Sequence, residues 1–291
     1  MKKTDLYTGV AVVEGFSELN TLFKDKEVVI TDKINVELGR IYPNMCIVVK
    51  SGKSSGLGIV KGNKLKLVED GIRLGDIVPR NKEQKFLMSL LKDKDIDLVT
   101  ISGKAGSGKT LLALAHAWNQ LKSGSINKIV LCKSLSPVGR EIGFLKGDLL
   151  EKVTPWLGAF LDNFEVLGVP EYEIELLMNS EKRFQARRPE KIEVSPITFI
   201  QGRSITNAVI IIDEAQNLSR EIVKQVLTRP AENTKIIMLG DLDQIFEKGL
   251  TRETNGFKAV IEAGKDSNFI GHIHLLKSER SRLTDWASDN L

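Results

Sequence analysis

Asp97-Leu98-Val99-Thr100-Ile101-Ser102-Gly103-Lys104-Ala105-Gly106-Ser107-Gly108-Lys109-Thr110-Leu111-Leu112-Ala113-Leu114-Ala115 is the stretch from which the rest of this chain is read. Asp97 to Ile101 is an apolar run that reads as a strand, and Leu111 onward opens a helix. Between them, Gly103, Gly106 and Gly108 let backbone N–H groups turn inward around a phosphate, and the helix N-terminus adds partial positive charge. Strand, glycine-rich loop and helix, in that order, is the context a phosphate-binding loop requires. The loop Gly103-Lys104-Ala105-Gly106-Ser107-Gly108-Lys109-Thr110 therefore predicts an ATP site. Lys109 would reach the β/γ oxygens, and Thr110 would offer its hydroxyl to Mg2+.

Three further strand ends complete the expected site. Ala208-Val209-Ile210-Ile211-Ile212-Asp213-Glu214 delivers two carboxylates where open α/β sheets bind ligand. Asp213 is expected to hold Mg2+ through water, and Glu214 to orient and deprotonate the attacking water, which favours hydrolysis over transfer to a small acceptor. Met238-Leu239-Gly240-Asp241-Leu242-Asp243-Gln244 offers Gln244 as a sensor of the γ-phosphate. Lys277-Ser278-Glu279-Arg280-Ser281 offers Arg280 to stabilise its charge. The strands Leu98–Ile101, Ile129–Cys132, Ile192–Ser195, Val209–Ile212, Ile236–Leu239 and Ile273–Leu276 are nearly continuous in apolarity, with helices such as Leu111–Lys122 and Arg220–Leu227 between them. That pattern predicts an α/β fold with a mostly parallel, doubly wound sheet.

Before Pro79 the texture changes to short strands and turns: Cys46–Val49, then Leu57–Val60 and Leu65–Val68 joined through Gly62-Asn63. Glu27 to Val78 reads as β-rich, with Ser51 to Gly56 as a loop. The expected division is a small β-rich module over 1–80 and an ATPase domain over 81–291. The formal charge of +4 on 291 residues is compatible with a nucleic-acid partner but does not argue for one. Two cysteines, Cys46 and Cys132, form no metal-binding spacing and read as reduced core thiols of a cytoplasmic protein. No apolar run is long enough for a signal peptide or a membrane span.

Together the motifs resemble the PhoH family, relatives of superfamily-one helicases with a RecA-like core. The resemblance is carried by Val138-Gly139-Arg140-Glu141-Ile142-Gly143-Phe144-Leu145, by Leu149-Leu150-Glu151-Lys152, by Pro196 to Ser204 and by Asp213-Glu214-Ala215-Gln216-Asn217. Tyr7-Thr8-Gly9 and Pro79-Arg80-Asn81-Lys82-Glu83-Gln84 look like the stretch between a PIN nuclease and the ATPase in fused members. The resemblance implies the ATPase without that nuclease. It also implies that Gln84 contacts adenine, since a glutamine amide both donates and accepts. Lys146, Leu242 and Ser278 depart from the family pattern, and none is a phosphate or metal ligand.

Lys182-Arg183-Phe184-Gln185-Ala186-Arg187-Arg188 mixes charge with an aromatic ring, as single-stranded nucleic acid favours, but reads more simply as an amphipathic helix; Lys133, Ser134 and Arg140 sit after the second strand, where the resemblance to helicases implies contact with a nucleic-acid backbone. Three functions compete: a nucleic-acid-stimulated ATPase acting on single-stranded nucleic acid, RNA favoured; an ATP-dependent assembly module; and a P-loop kinase, against which Glu214, Gln244 and Arg280 weigh. Only a short tail follows Arg280, so a second RecA-like domain is not expected. A homo-oligomeric ring, with Arg203 or Arg229 acting in trans, is expected instead.

Overall fold

The computed structural model describes residues 6–133, 158, 160–170, 172–174, 191–200 and 202–279. The N-terminal part is a sheet of β1 (Val10–Glu14), β2 (Glu27–Val29), β3 (Cys46–Ser51), β4 (Ser54–Lys61) and β5 (Lys64–Leu67), with α1 (Leu19–Asp25) and α2 (Asp32–Leu38) in its connections. The strand order is β1-β3-β4-β5-β2. Gly62-Asn63 makes the expected turn, with Lys61 opposite Lys64 and Gly62 at φ +58°. Ser51 to Gly56, expected as a loop, is a hairpin instead: Ser51 pairs with Ser54, and only Gly52-Lys53 turns. Its polar residues sit at an exposed hairpin tip, so pairing with β3 overrides their loop composition. The sheet also begins before Glu27, because β1 pairs in parallel with the distant β3.

After α3 (Lys82–Lys92) come β6 (Leu98–Gly103), α4 (Lys109–Lys122), β7 (Lys128–Lys133), β8 (Ile192–Pro196), β9 (Ala208–Asp213), α5 (Arg220–Leu227), β10 (Thr234–Gly240), α6 (Gly256–Gly264) and β11 (Ile270–Leu275). The six strands order as β11-β6-β10-β9-β7-β8, and every pair is parallel. This is the doubly wound, RecA-like arrangement. All six residues of β6 and of β9 are buried, which is why these strands are nearly continuous in apolarity rather than alternating. β11 starts three residues before the expected Ile273, since Gly271 and His272 hide the strand signal while pairing with Val99 and Thr100.

One hydrophobic core runs through both parts: Cys46, Val48, Ile59 and Val68 pack in the same cluster as Phe86, Leu90, Ile101 and Leu114. The chain entering β1 is pinned to the edge strand β11. His274 N–H donates to the Thr8 carbonyl (2.9 Å), and Tyr7 N–H donates to Glu262 Oε1 (3.1 Å). Gly9 is required there: its φ is +76°, and a Cβ would lie 1.9 Å from the His272 carbonyl oxygen. Among the described residues no helix is long and apolar enough to cross a membrane.

Candidate nucleotide-binding site

A cleft of about 650 Å³ opens at the C-terminal ends of the parallel strands, the end at which α/β sheets bind ligand. Gly103 at the end of β6 has φ +149°, and a Cβ there would meet the Leu275 carbonyl at 2.5 Å. Gly106 and Gly108 have φ +80° and +90°, backbone that other residues rarely adopt. Ser107 Oγ donates to the Lys104 carbonyl (2.9 Å). Lys109, the first residue of α4, lays its ammonium across the loop, donating to the carbonyls of Gly103 (2.5 Å) and Lys104 (2.9 Å). Ala105, Gly106, Gly108, Lys109 and Thr110 all face the cleft.

β9 carries Asp213 and Glu214 to the same place. Burial, with the Glu214 carboxylate next to it, holds the Asp213 carboxyl above the usual range; Lys133, the Glu214 N–H and Lys109 pull it the other way. Glu214 adopts the left-handed region (φ 54°), a conformation that costs a non-glycine residue about 1 kcal/mol and is retained where neighbours fix it. The fixing neighbour is Gln216, fully buried on the 3-10 turn Ala215–Asn217. Its Nε2 donates to Glu214 Oε2 (2.7 Å) and to the Gln244 carbonyl (3.0 Å), and its Oε1 accepts from Asp241 N–H (3.1 Å). Asn217 Oδ1 accepts from the N–H groups of Phe246 (2.8 Å) and Glu247 (3.2 Å). Two buried amides thus tie the β9 carboxylates to the loop after β10 that presents Gln244.

Asn81 caps α3 by accepting from Gln84 N–H (2.9 Å), which sets Gln84 beneath the phosphate loop. Gln84 Nε2 donates to the Ser107 carbonyl (3.1 Å), and its Oε1 accepts from Arg80 N–H (2.9 Å). One N–H and one lone pair of that amide stay uncommitted to these bonds. Glu279, after β11, closes the loop from above: its N–H donates to the Gly106 carbonyl (2.9 Å), and its carboxylate accepts from Asn81 Nδ2 (2.7 Å).

All predicted site residues except Arg280 are therefore gathered around one cleft. Arg280 lies outside the described residues, as do Arg140, Phe144, Lys146 and the basic stretch 182–188. Arg203 is ion-paired with Glu193, and Arg229 Nε donates to the Gln225 carbonyl; neither lines the cleft. Sequence reasoning assigned no role to three residues that the structure places in the site. Gln216 and Glu279 sit inside quoted motifs, but their roles depend on partners 28 and 173 residues away. Asn81 carries a readable helix-cap signal. Lys133, expected from its place after the second strand at a nucleic-acid backbone, stands in register beside Asp213 and on the cleft wall.

Thr110 and Asp213 facing one cleft fit Mg2+, which keeps several waters and takes substrate phosphates as ligands. Among the described residues no group of three or more His, Cys, Asp or Glu side chains could hold a metal by itself, and Mg2+ in such sites needs none.

The chain matches the family described as PhoH-like protein over residues 76–289. It is 39% identical over 274 residues to Protein PhoH2 of Bacillus subtilis (strain 168), covering 88% of this chain and 58% of that one. It is 31% identical over 290 residues to Protein PhoH2 of Mycolicibacterium smegmatis, covering 98% of this chain and 62% of that one. The chain thus spans about three fifths of the length of these relatives. Among solved structures, a Pif1 helicase from Candida albicans is 16% identical with a TM-score of 0.35, covering 73% of this chain and 43% of that one. A superposition that weak leaves the strand order to define the fold.

Proposed function

This chain belongs to the PhoH family, and we propose that it binds ATP with Mg2+ and hydrolyses it, coupling the cycle to single-stranded nucleic acid, RNA by preference. The observation that carries the ATPase reading is the convergence of Lys109, Thr110, Asp213, Glu214 and Gln244 on one cleft. In this reading residues 81–291 carry the chemistry and 1–80 brace it.

The base slides between Val78 and Val166, apolar side chains that line the cleft yet stand 58% and 62% exposed. Gln84 spends its remaining donor and acceptor on adenine. The phosphates enter the loop of N–H groups, and Lys109 transfers from its own backbone carbonyls to the β/γ oxygens. Thr110 and Asp213 would hold Mg2+, which would supply neutralising charge to the phosphates. Glu214, fixed by Gln216, takes a proton from the water that attacks the γ-phosphorus. The bond to the bridging oxygen breaks, and the electron pair leaves on ADP.

The nucleic-acid half of the reading rests on the family's likeness to superfamily-one helicases, and the basic excess is compatible with it. The two buried free thiols fit a reducing compartment, the cytoplasm. Among the described residues Arg80 is the arginine on the cleft wall, and its Nη1 is held on the Glu279 carbonyl (3.1 Å). Arginine charge at the γ-phosphate is then left to Arg280 or to a neighbouring copy. The second case gives a head-to-tail ring.

The test is calorimetric titration of ATP into the wild type and Lys109→Ala, with turnover measured with and without single-stranded RNA. ATP binding lost in the variant, and turnover raised by RNA, are expected. Undiminished ATP affinity in Lys109→Ala would place the site elsewhere. Turnover indifferent to RNA would favour an ATP-dependent assembly module.

A further inference from the structure

Lys133 closes β7, and across the parallel pair it lies in register with Asp213. It lines the nucleotide cleft together with Lys109, Thr110, Glu214 and Gln244. Among the described residues no hydrogen-bond or ion-pair partner within normal range holds its ammonium, whereas Lys109 is anchored on two loop carbonyls. The cleft carries negative charge as well: Asp213, in register with Lys133, lines it together with Glu214 and Asp241. A triphosphate carrying about four negative charges must enter that environment, so cationic charge is needed in just that place, beyond what the phosphate loop supplies.

We propose that Lys133 is a catalytic residue whose ammonium contacts the γ-phosphate of the bound triphosphate and supplies, from within the same subunit, positive charge for its hydrolysis. Its register places that ammonium on the strand next to Asp213 before nucleotide arrives. With Asp213 committed to Mg2+, the Lys133 ammonium would be free for the γ-oxygens. In the step it serves, the water oxygen bonds to the γ-phosphorus, its proton passes to Glu214, and the bridging oxygen departs with the electron pair on ADP. Lys133 stays protonated throughout and stabilises the equatorial oxygens. The inference rests on the ATPase reading above, but its binding signature does not depend on turnover.

The experiment compares Lys133→Met and Lys133→Arg with the wild type, in affinity for ADP, in affinity for a non-hydrolysable ATP analogue, and in kcat. Lys133→Met is expected to keep ADP affinity within about twofold, to lose about tenfold in analogue affinity, and to lose about 10²–10³ in kcat. Lys133→Arg should recover part of both. A purely structural lysine would weaken ADP and analogue equally, and that result, or unchanged kcat, overturns the proposal. A wild type that hydrolyses no ATP sinks the ATPase reading, while the difference between analogue and ADP still decides on Lys133. Lys133→Gln serves the same readouts if the methionine variant does not fold.

Discussion

Glu214 shows how much a single residue depends on its neighbours. Its backbone is left-handed, and its carboxylate is held by a glutamine with no exposed surface. Glu214→Gln keeps the shape and removes the base, so nucleotide binding should survive while turnover drops by ~10²–10⁴; near-normal turnover in a single-turnover assay would remove Glu214 from that role. Two buried histidines make a different prediction. Burial, assisted by Lys235 and Lys92, lowers His116 to about 3, and burial with His274 beside it lowers His272 to about 3. Both are neutral in the folded protein, while the unfolded chain takes up protons below about pH 6.5. The stability they allow is therefore complete above that pH and drains away as pH falls toward 3, by up to about 1.4 kcal/mol per unit for each histidine. Urea unfolding at pH 7.5 and pH 5 should show the loss, and His116→Leu should make the slope shallower. Equal stability at the two pH values would contradict the burial argument.

Among the elements, the contact between the N-terminal segment and β11 is the one most sensitive to a single atom. Gly9 sits against the His272 carbonyl with no room for a Cβ, and Thr8 accepts the His274 N–H next to it. Gly9→Ala incurs about 1–2 kcal/mol for its left-handed backbone, and the clash adds to that. The variant should melt earlier, and the His274 amide should exchange faster. An unchanged melting point together with a protected His274 amide would show that this docking contributes nothing. The phosphate loop is braced in a similar way by elements distant in sequence: Gln84 of α3 from below and Glu279 from above.

At the scale of the whole molecule, the proposed ring makes each nucleotide site the joint property of two copies. Arg203 and Arg229 lie away from the cleft of their own chain, so either could act only on a neighbour's nucleotide. An arginine delivered there contributes ~10³–10⁵ in rate. Mixing Lys109→Ala with Arg229→Ala, or with Arg203→Ala, should restore activity that neither variant has alone, because some interfaces then combine an intact loop with an intact arginine. Light scattering should find a multimer; a fully active monodisperse monomer excludes the ring.

From the sequence alone came the phosphate loop, the parallel sheet and the two carboxylates, because each is a local pattern: glycines at fixed spacing, strands apolar on both faces, acids at a strand end. The hairpin over Ser51 to Gly56 was hidden because polar residues at an exposed tip look like a loop until their cross-strand partner is known. Strand β1 was hidden because what holds it is β3, 36 residues on. Tertiary structure alone decided that Gln216 links Glu214 to the Gln244 loop, that Glu279 bridges Gly106 and Asn81, and that Lys133 stands beside Asp213. Those are relations between strand ends, and strand order, which places β7 next to β9 rather than next to β6, is set by how the helices pack between them and not by any window of sequence.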